Sequence, residues 1–125
     1  MNLETLYEEK KSKFYGYIFK IKDKTEIAQI IEKVRKKHKK ARHVCSAYLL
    51  NLEGGFQAGY DDDGEPKGTA GKAIYDLFQF KNISNVLVIV VRYFGGIKLG
   101  AGGLVRAYRK SAGQIIDLFL QSEKE

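Results

Sequence analysis

The chain has 125 residues, 44% of them hydrophobic, which is enough to bury one core and too few for two ordinary domains. Lysine and arginine outnumber aspartate and glutamate by 22 to 15, and the formal net charge of +7 favours acidic partners such as RNA, ribosomes or an acidic protein surface. The single cysteine excludes an internal disulfide, and no apolar stretch is long enough to span a membrane. The first residues, Met1 to Lys11, contain no apolar signal core. We therefore expect a cytoplasmic protein without a membrane partner.

The first predicted strand runs from Phe14 to Ile21, where aromatic and apolar residues alternate with others. Asp23 and Glu26 match a capping box, and apolar residues then recur at helical spacing to about His38. This helix and the turn after it carry seven bases without an intervening acid: Lys33, Arg35, Lys36, Lys37, Lys39, Lys40 and Arg42. Two interpretations stay open, a solvated helix face or a surface that binds phosphates.

The segments Val44 to Leu52 and Phe56 to Tyr60, separated by Glu53, Gly54 and Gly55, predict a β-hairpin. His43 and Cys45 lie two positions apart and share a face, as a base and a nucleophile or two metal ligands would. No second pair of this kind completes a tetrahedral metal site. We therefore expect no metal, and a buried, unreactive thiol beside a hydrogen-bonded histidine.

An acidic loop, Asp61 to Glu65, precedes the only proline, Pro66. Its spacing resembles the start of a calcium loop, but Pro66 replaces the required glycine and Lys72 replaces the final glutamate, which excludes an EF-hand. We expect an ordered turn whose carboxylates pair with a basic group elsewhere in the fold. Thr69 is then predicted to cap a second helix.

The continuous apolar run from Val86 to Val91 predicts a strand that is buried on both faces. The glycine loop that follows contains five glycines: Gly95, Gly96, Gly100, Gly102 and Gly103. Such a loop indicates positive φ angles or close approach of the backbone to another group. The last predicted helix runs from Leu104 to about Leu120.

Neither of two nucleotide-binding motifs is complete in this sequence. The glycine loop lacks the third glycine of a dinucleotide fingerprint, and the Gly71–Lys72 pair matches a P-loop only in part, so both motifs are excluded.

The acidic loop and the glycine loop together predict a candidate ligand cleft. If the last helix begins near Gly103, its unpaired first amides and the nearby bases form a concave electropositive site for an anion, which the acidic loop borders. The candidate residues are Asp62, Asp63, Glu65, Arg92, Gly95, Gly96, Lys98, Gly100, Gly102, Gly103 and Arg106. The alternative is that the acids neutralise Arg92 or Arg106 and leave no room for a ligand.

Three motifs occur in order: RHVCSAY at 42–48, DDGEPKGTAG at 62–71 and RYFGGIKLGAGGLVRAY at 92–108. Together they resemble the YigZ/IMPACT family, and the resemblance covers nearly the whole chain. It implies a fold like the second domain of ribosomal protein S5, which is also found in domain IV of elongation factor G. Bacterial members usually continue into a ferredoxin-like domain; we expect 1–125 to be a single IMPACT N-terminal-like domain without it.

The elements, in the order β-α-β-β-α-β-α, predict an α+β two-layer sandwich with helices mainly on one face of one sheet. The resemblance implies a link to translation, since eukaryotic relatives modulate starvation signalling through a ribosome-associated activator protein. We expect a non-enzymatic binding module without a cofactor. Its basic run, Lys33 to Arg42, is expected to contact RNA, the ribosome or a ribosome-associated regulatory protein. We expect no recognition of a DNA sequence. The alternative is an enzyme or a phosphate- or nucleotide-binding protein that uses the two loops as walls of a cleft, although no nucleophile, base and orienting residue stand at a recognisable spacing.

Overall fold

The chain folds as one antiparallel sheet with three helices in a computed structural model that describes residues 3–124. Met1, Asn2 and Glu125, which belong to the predicted domain, lie outside the described residues. The elements are β1 (Glu4–Glu9), β2 (Ser12–Lys20), α1 (Ile27–Lys37), β3 (His43–Leu52), β4 (Gly55–Asp61), α2 (Gly71–Phe80), β5 (Val86–Tyr93) and α3 (Gly100–Glu123), with a short 3-10 turn (Lys24–Glu26) before α1.

The central strand of the sheet is β5, because the strand order is β1-β2-β5-β3-β4 and all neighbours are antiparallel. In this register Val90 lies between Gly16 of β2 and Cys45 of β3. The residues from Val86 to Val91 are all buried, since helices pack on both sides of the strand. The prediction of a strand buried on both faces is confirmed.

Two of the three helices lie on one face of the sheet. Val88 and Val90 point towards α2 and α3 and belong to a core that includes Tyr108. Ile89 and Val91 point the other way and pack with the α1 side, which contributes Val34. The α+β fold with helices mainly on one face is therefore confirmed, and α1 covers part of the opposite face.

The start of α1 agrees with its predicted capping box. The Asp23 side chain accepts the Thr25 amide at 2.9 Å, and the Glu26 side chain accepts the Asp23 amide at 2.8 Å. These bonds satisfy amides that have no partner within the helix.

The sequence pattern does not predict β1. Its residues alternate between exposed and half-buried, and Glu4 and Glu8 interrupt the apolar pattern on the exposed side. Charged residues are typical of an edge strand, where they prevent pairing with another chain. Tyr7, on the other side, packs against the core beneath α3.

The glycine loop is shorter than predicted, because α3 begins at Gly100 rather than near Leu104. The predicted cap at Thr69 is wrong, since the Thr69 hydroxyl donates to the carbonyl of Pro66 at 2.5 Å and α2 has no cap from its own N-cap residue. Asp62 takes this role from the acidic loop. Its carboxylate accepts the amides of Ala70 and Gly71 at 3.1 and 2.8 Å, respectively.

Candidate functional site

The first candidate site is a basic surface on the second half of α1 and the turn after it. Its exposed side chains are Lys33, Lys36, Lys37, Lys39, Lys40 and Arg42. Within residues 3–124, Lys37 lies 3.1 Å from Glu4, and the other five form no ion pair. The helix presents them to solvent because its apolar residues, among them Ile30 and Val34, pack against the sheet on the other side.

Arg35, the one base of the run that is not fully exposed, makes a contact within the protein. Its guanidinium donates to Asp63 twice, from Nη1 to Oδ2 at 3.2 Å and from Nη2 to Oδ1 at 3.0 Å. Asp63 also accepts the Val44 amide at 2.7 Å. Burial raises the pKa of Asp63, but the hydrogen bonds from Arg35 and Val44 outweigh it and hold this pKa below its usual value. Arg35 thus fastens α1 to the acidic loop.

A chain of hydrogen bonds through His38 holds the end of α1 against the sheet. His38 Nε2 lies 2.5 Å from the Tyr17 hydroxyl, and Nδ1 lies 2.6 Å from the Tyr93 hydroxyl. Because Tyr17 donates its proton to Glu4, it accepts from His38 Nε2–H, and Nδ1 accepts from Tyr93. Burial, and then the charge of Lys37, lower the pKa of His38, which favours this neutral form.

Aromatic rings adjoin the basic surface where β5 ends. Phe94 is 38% exposed, and the guanidinium carbon of Arg42 lies 5.2 Å from its ring centre. Tyr15 and Tyr93 are half-buried and contact the His38 ring. The bases are therefore continuous with a partly exposed aromatic border.

Three carboxylates of the acidic loop are each committed to a different part of the fold. Asp62 accepts the amides that begin α2, Asp63 pairs with Arg35, and Glu65 pairs with Arg92. The prediction that this loop pairs with bases elsewhere in the fold is confirmed for Asp63 and Glu65.

Glu65 is the charged centre of the second candidate site. Its carboxylate accepts from Arg92 Nη1 at 2.8 and 3.1 Å and from the Tyr108 hydroxyl at 2.5 Å. His43 Nδ1 donates to the carbonyl of Asp63 at 2.8 Å, and its Nε2 lies 3.3 Å from Glu65 Oε1. Burial raises the pKa of Tyr108, so its hydroxyl remains a donor. These contacts compensate a carboxylate that is almost fully removed from water.

Cys45 lies next to this cluster and is fully buried. Its Sγ atom is 3.2 Å from the Asp62 carbonyl oxygen and 3.4 Å from the Tyr108 hydroxyl. Burial raises the pKa of the thiol well above its usual value. The predicted buried cysteine beside a hydrogen-bonded histidine is confirmed, and the thiol has no open face from which to attack a substrate.

The glycine loop shows both properties that its composition predicts. Gly96 and Gly100 have φ angles of 91° and 75°. At Gly95 a Cβ atom would lie 2.0 Å from the carbonyl oxygen of Lys11, so this residue lets the loop press against the β1–β2 turn. The Gly95 amide donates to the Ser12 hydroxyl at 3.3 Å.

A cleft of about 360 Å³ separates the acidic loop from the end of β5 and the start of α3. Its walls combine bases, one carboxylate and apolar side chains: Arg42, His43, Glu65, Pro66, Arg92, Phe94, Lys98, Leu99, Gly100, Ala101 and Leu104. The sequence left two alternatives open, a ligand cleft or an acid that neutralises Arg92 and leaves no room. The structure contains part of each, because Glu65 neutralises Arg92 and space for a ligand remains beside this pair.

Four of the predicted cleft residues line this space: Glu65, Arg92, Lys98 and Gly100. The others lie outside its lining. Asp62 and Asp63 make the contacts described above, Gly95 and Gly96 shape the loop, and Gly102, Gly103 and Arg106 lie in the first turns of α3.

Sequence reasoning did not place several lining residues there: Arg42, His43, Pro66, Phe94, Leu99, Ala101 and Leu104. The sheet register contains the signal for one of them. His43 is the Cα partner of Arg92 across β3 and β5, so pairing these strands correctly brings the histidine to the predicted arginine.

Among residues 3–124, no three or more His, Cys, Asp or Glu side chains are grouped so that they would hold a metal ion. In the same part of the chain, no helix combines the length and the apolar character that crossing a bilayer requires.

Comparison with known proteins identifies the family. The profile of the Impact N-terminal domain matches residues 10–116. This chain belongs to the IMPACT family. IMPACT family member YvyE of Bacillus subtilis (strain 168) is 41% identical over 104 residues, which cover 83% of this chain and 48% of YvyE. IMPACT family member YigZ of Escherichia coli (strain K12) is 39% identical over 114 residues, or 90% of this chain and 56% of YigZ.

Two solved structures share the fold of this chain. A crystal structure described as that of a hypothetical protein superimposes with a TM-score of 0.87 and 36% identity, over 93% of this chain and 57% of that one. The two-domain translational regulator Yih1 has a TM-score of 0.52 and 22% identity, over 91% of this chain and 45% of Yih1, and so shares the fold. This IMPACT family chain spans about half the length of the relatives that it matches.

Proposed function

We propose that this domain is a non-enzymatic, translation-linked binding module of the cytoplasm, which contacts RNA or the ribosome, or a ribosome-associated regulatory protein, through the basic surface. One observation carries the proposal: the exposed bases Lys33, Lys36, Lys39, Lys40 and Arg42 lie together without a carboxylate partner in the described structure. Phosphate groups would supply the missing counter-charge, and their binding would release condensed counterions.

The aromatic border favours RNA among acidic partners. Single-stranded bases stack on exposed aromatic rings and on arginine, while lysines contact the phosphates. Phe94 and Arg42 supply such a pair beside the lysines of α1.

Membership of the IMPACT family supports the link to translation. Yih1, which shares this fold, is described as a translational regulator. Because fold alone does not determine function, the link is part of the proposal and depends on the binding experiment below.

A non-catalytic role agrees with the state of the reactive side chains. The Cys45 thiol is inaccessible, and His43 and Glu65 make their hydrogen bonds within the protein. No nucleophile, base and orienting group face a common open space in the described residues.

The proposal is tested by measuring binding to ribosomal RNA and to purified ribosomes at a series of salt concentrations. Four or five phosphate contacts predict a slope of about −3 for the logarithm of the binding constant against the logarithm of salt concentration. Binding to naked RNA would assign RNA as the partner, whereas binding to ribosomes alone would assign a ribosomal or ribosome-associated protein. No binding to either at low salt would contradict the proposed function.

A further inference from the structure

We propose that β4 is a self-association edge, through which two copies of this chain pair antiparallel and join their sheets into one. β4 is an edge strand, because it pairs with β3 alone in the described sheet. This surface goes beyond the proposed function, since none of the exposed bases of α1 and the turn after it lies on β4.

The open edge presents the backbone groups of Phe56, Ala58 and Tyr60. In an antiparallel pair, the backbone groups of successive residues point alternately towards the partner strand and away from it. On β3, the Asn51 amide donates to Asn85 Oδ1 at 2.9 Å, on the β5 side, and so points away from β4. Its Cα partner Phe56 therefore points away from β3, and Ala58 and Tyr60 follow at alternate positions. The donors and acceptors of these three residues are available to another strand.

The open edge has no charge that would prevent such pairing. No residue from Gly54 to Tyr60 is charged, although the chain has a formal net charge of +7. The other edge strand, β1, contains Glu4, Glu8 and Glu9. Charged residues on an edge oppose pairing with another chain, and their absence permits it. The two edges of this sheet therefore differ, and β4 is the one that favours association.

The side chains of the edge fit a two-fold axis centred on Ala58. Phe56 and Tyr60 are 68% and 51% exposed and lie two positions to either side of it. When two β4 strands pair antiparallel around this axis, Ala58 faces its own copy and Phe56 faces Tyr60 of the second copy. Aromatic pairs across two strands stabilise a sheet, and all outward backbone groups of the three residues find partners. The edge is complementary to itself, which favours a second copy over an unrelated strand.

The surface beside the edge suits the same pairing. Tyr60 contacts Tyr75 of α2, and their ring centres are 5.8 Å apart. Phe56 borders a groove of about 390 Å³, and none of the described residues that line this groove is charged. The rings of a second copy would extend this aromatic surface without burying a charge.

Sedimentation velocity at a series of concentrations, from roughly 10 μM to roughly 1 mM, tests the proposal. One strand pair buries less surface than a permanent dimer, so we expect weak, reversible association that increases with concentration. A sedimentation coefficient that remains that of a monomer over this range would overturn the proposal. A monomeric chain that instead added an extended peptide of unrelated sequence to β4 would assign the edge to another protein, and would equally overturn self-pairing.

The variant Ala58→Lys tests whether β4 forms the interface. Ala58 is exposed, and lysine is typical of edge strands, so the variant should fold. Two lysines directly opposite each other repel, and we expect association to weaken roughly tenfold or more. The matched control is Leu6→Lys, at a 47% exposed position in the middle of β1, which should associate like the wild type. Equal association of Ala58→Lys and the wild type, or equal loss in both variants, would refute the interface.

The variant Ala58→Cys tests the symmetry axis directly. Residues in a hydrogen-bonded antiparallel pair have Cα atoms about 5.5 Å apart, which is within the span of a disulfide. We expect mild oxidation to link Ala58→Cys into dimers faster than the control Leu6→Cys, while the buried Cys45 takes no part. Equal rates of linkage in the two variants would contradict pairing centred on Ala58. Neither variant changes a lysine of α1, so failure of this interface leaves the proposed function untouched.

Discussion

Arg92 Nη1 lies 2.8 Å from Glu65 Oε2, and the two side chains are 7% and 3% exposed. Replacing Glu65 by Gln leaves the arginine charge buried without its counter-charge. We expect Glu65→Gln to lower the free energy of unfolding by about 3–5 kcal/mol in urea denaturation.

The matched control for this variant is a partly exposed carboxylate. Asp76 lies 3.1 Å from Lys72 and 3.3 Å from Arg109. Because water screens such pairs, Asp76→Asn should cost about 1 kcal/mol or less. Equal losses in the two variants would show that burial of the Glu65–Arg92 pair has no special energetic role.

The contact between Asp63 and Arg35 predicts a specific dependence on pH. The folded pKa of Asp63 lies below its unfolded value, so its contribution to stability is fully present above the unfolded pKa of about 4 and is lost as pH falls through the folded pKa. Asp63→Asn should therefore be less stable than the wild type at neutral pH, and the difference should shrink below about pH 4. Urea midpoints at a series of pH values measure this. A difference that stays constant down to pH 2 would contradict it.

Two glycines are expected to respond to alanine in opposite directions. At Gly95 the new Cβ atom would lie 2.0 Å from the Lys11 carbonyl oxygen, so the β1–β2 turn would have to move and stability should fall by more than about 1 kcal/mol. At Gly113, inside α3, the added Cβ would have no atom within 4 Å apart from its chain neighbours and the backbone of its own helix. Gly113→Ala should raise stability by roughly 0.5–1 kcal/mol, because alanine favours the helix. A melting temperature of Gly95→Ala equal to or above that of the wild type would disprove the close contact at Gly95, and a lowered one for Gly113→Ala would contradict the expected gain in α3.

The thiol of Cys45 should react slowly with thiol reagents in the native protein. It has no exposed surface, and its raised pKa leaves little thiolate at neutral pH. Labelling should therefore proceed through unfolding and accelerate in urea. Rapid labelling at neutral pH without denaturant would contradict this and revive the nucleophile interpretation.

Elements with a strong periodic signal could be predicted from the sequence. The apolar run of β5 and the Asp23–Glu26 capping box are local patterns, and each depends on interactions within a few residues. The strand β1 could not be predicted, because its pairing with β2 and its edge position are decided by the sheet as a whole.

In the candidate cleft, too, the local features could be predicted from the sequence and the long-range contacts could not. Its two loops are visible in the sequence, but their assembly depends on contacts distant in the chain. Asp62 caps α2 across the acidic loop, so Thr69, the locally favoured cap, makes another bond. His43 joins Glu65 only once β3 is aligned with β5. Local propensity contains no information about such partners.

The central claim is that the basic surface binds an acidic partner, and charge reversal tests it. The variant carries Lys→Glu changes at four exposed lysines: Lys33, Lys36, Lys39 and Lys40. Lys37 is left in place because it contacts Glu4 and stacks over Tyr17. The control carries the same changes at four exposed lysines elsewhere: Lys10, Lys22, Lys24 and Lys124. Each Lys→Glu change removes two units from the formal charge of +7, so both variants have a net charge of −1.

The decisive measurement is the affinity of the wild type and both variants for ribosomes and ribosomal RNA at the same salt concentration, with circular dichroism to verify folding. We expect the basic-surface variant to bind at least roughly tenfold more weakly than the control variant, because only its lysines contact phosphates. Equal affinities of the two folded variants would show that net charge, and not this surface, determines binding, and would contradict the account.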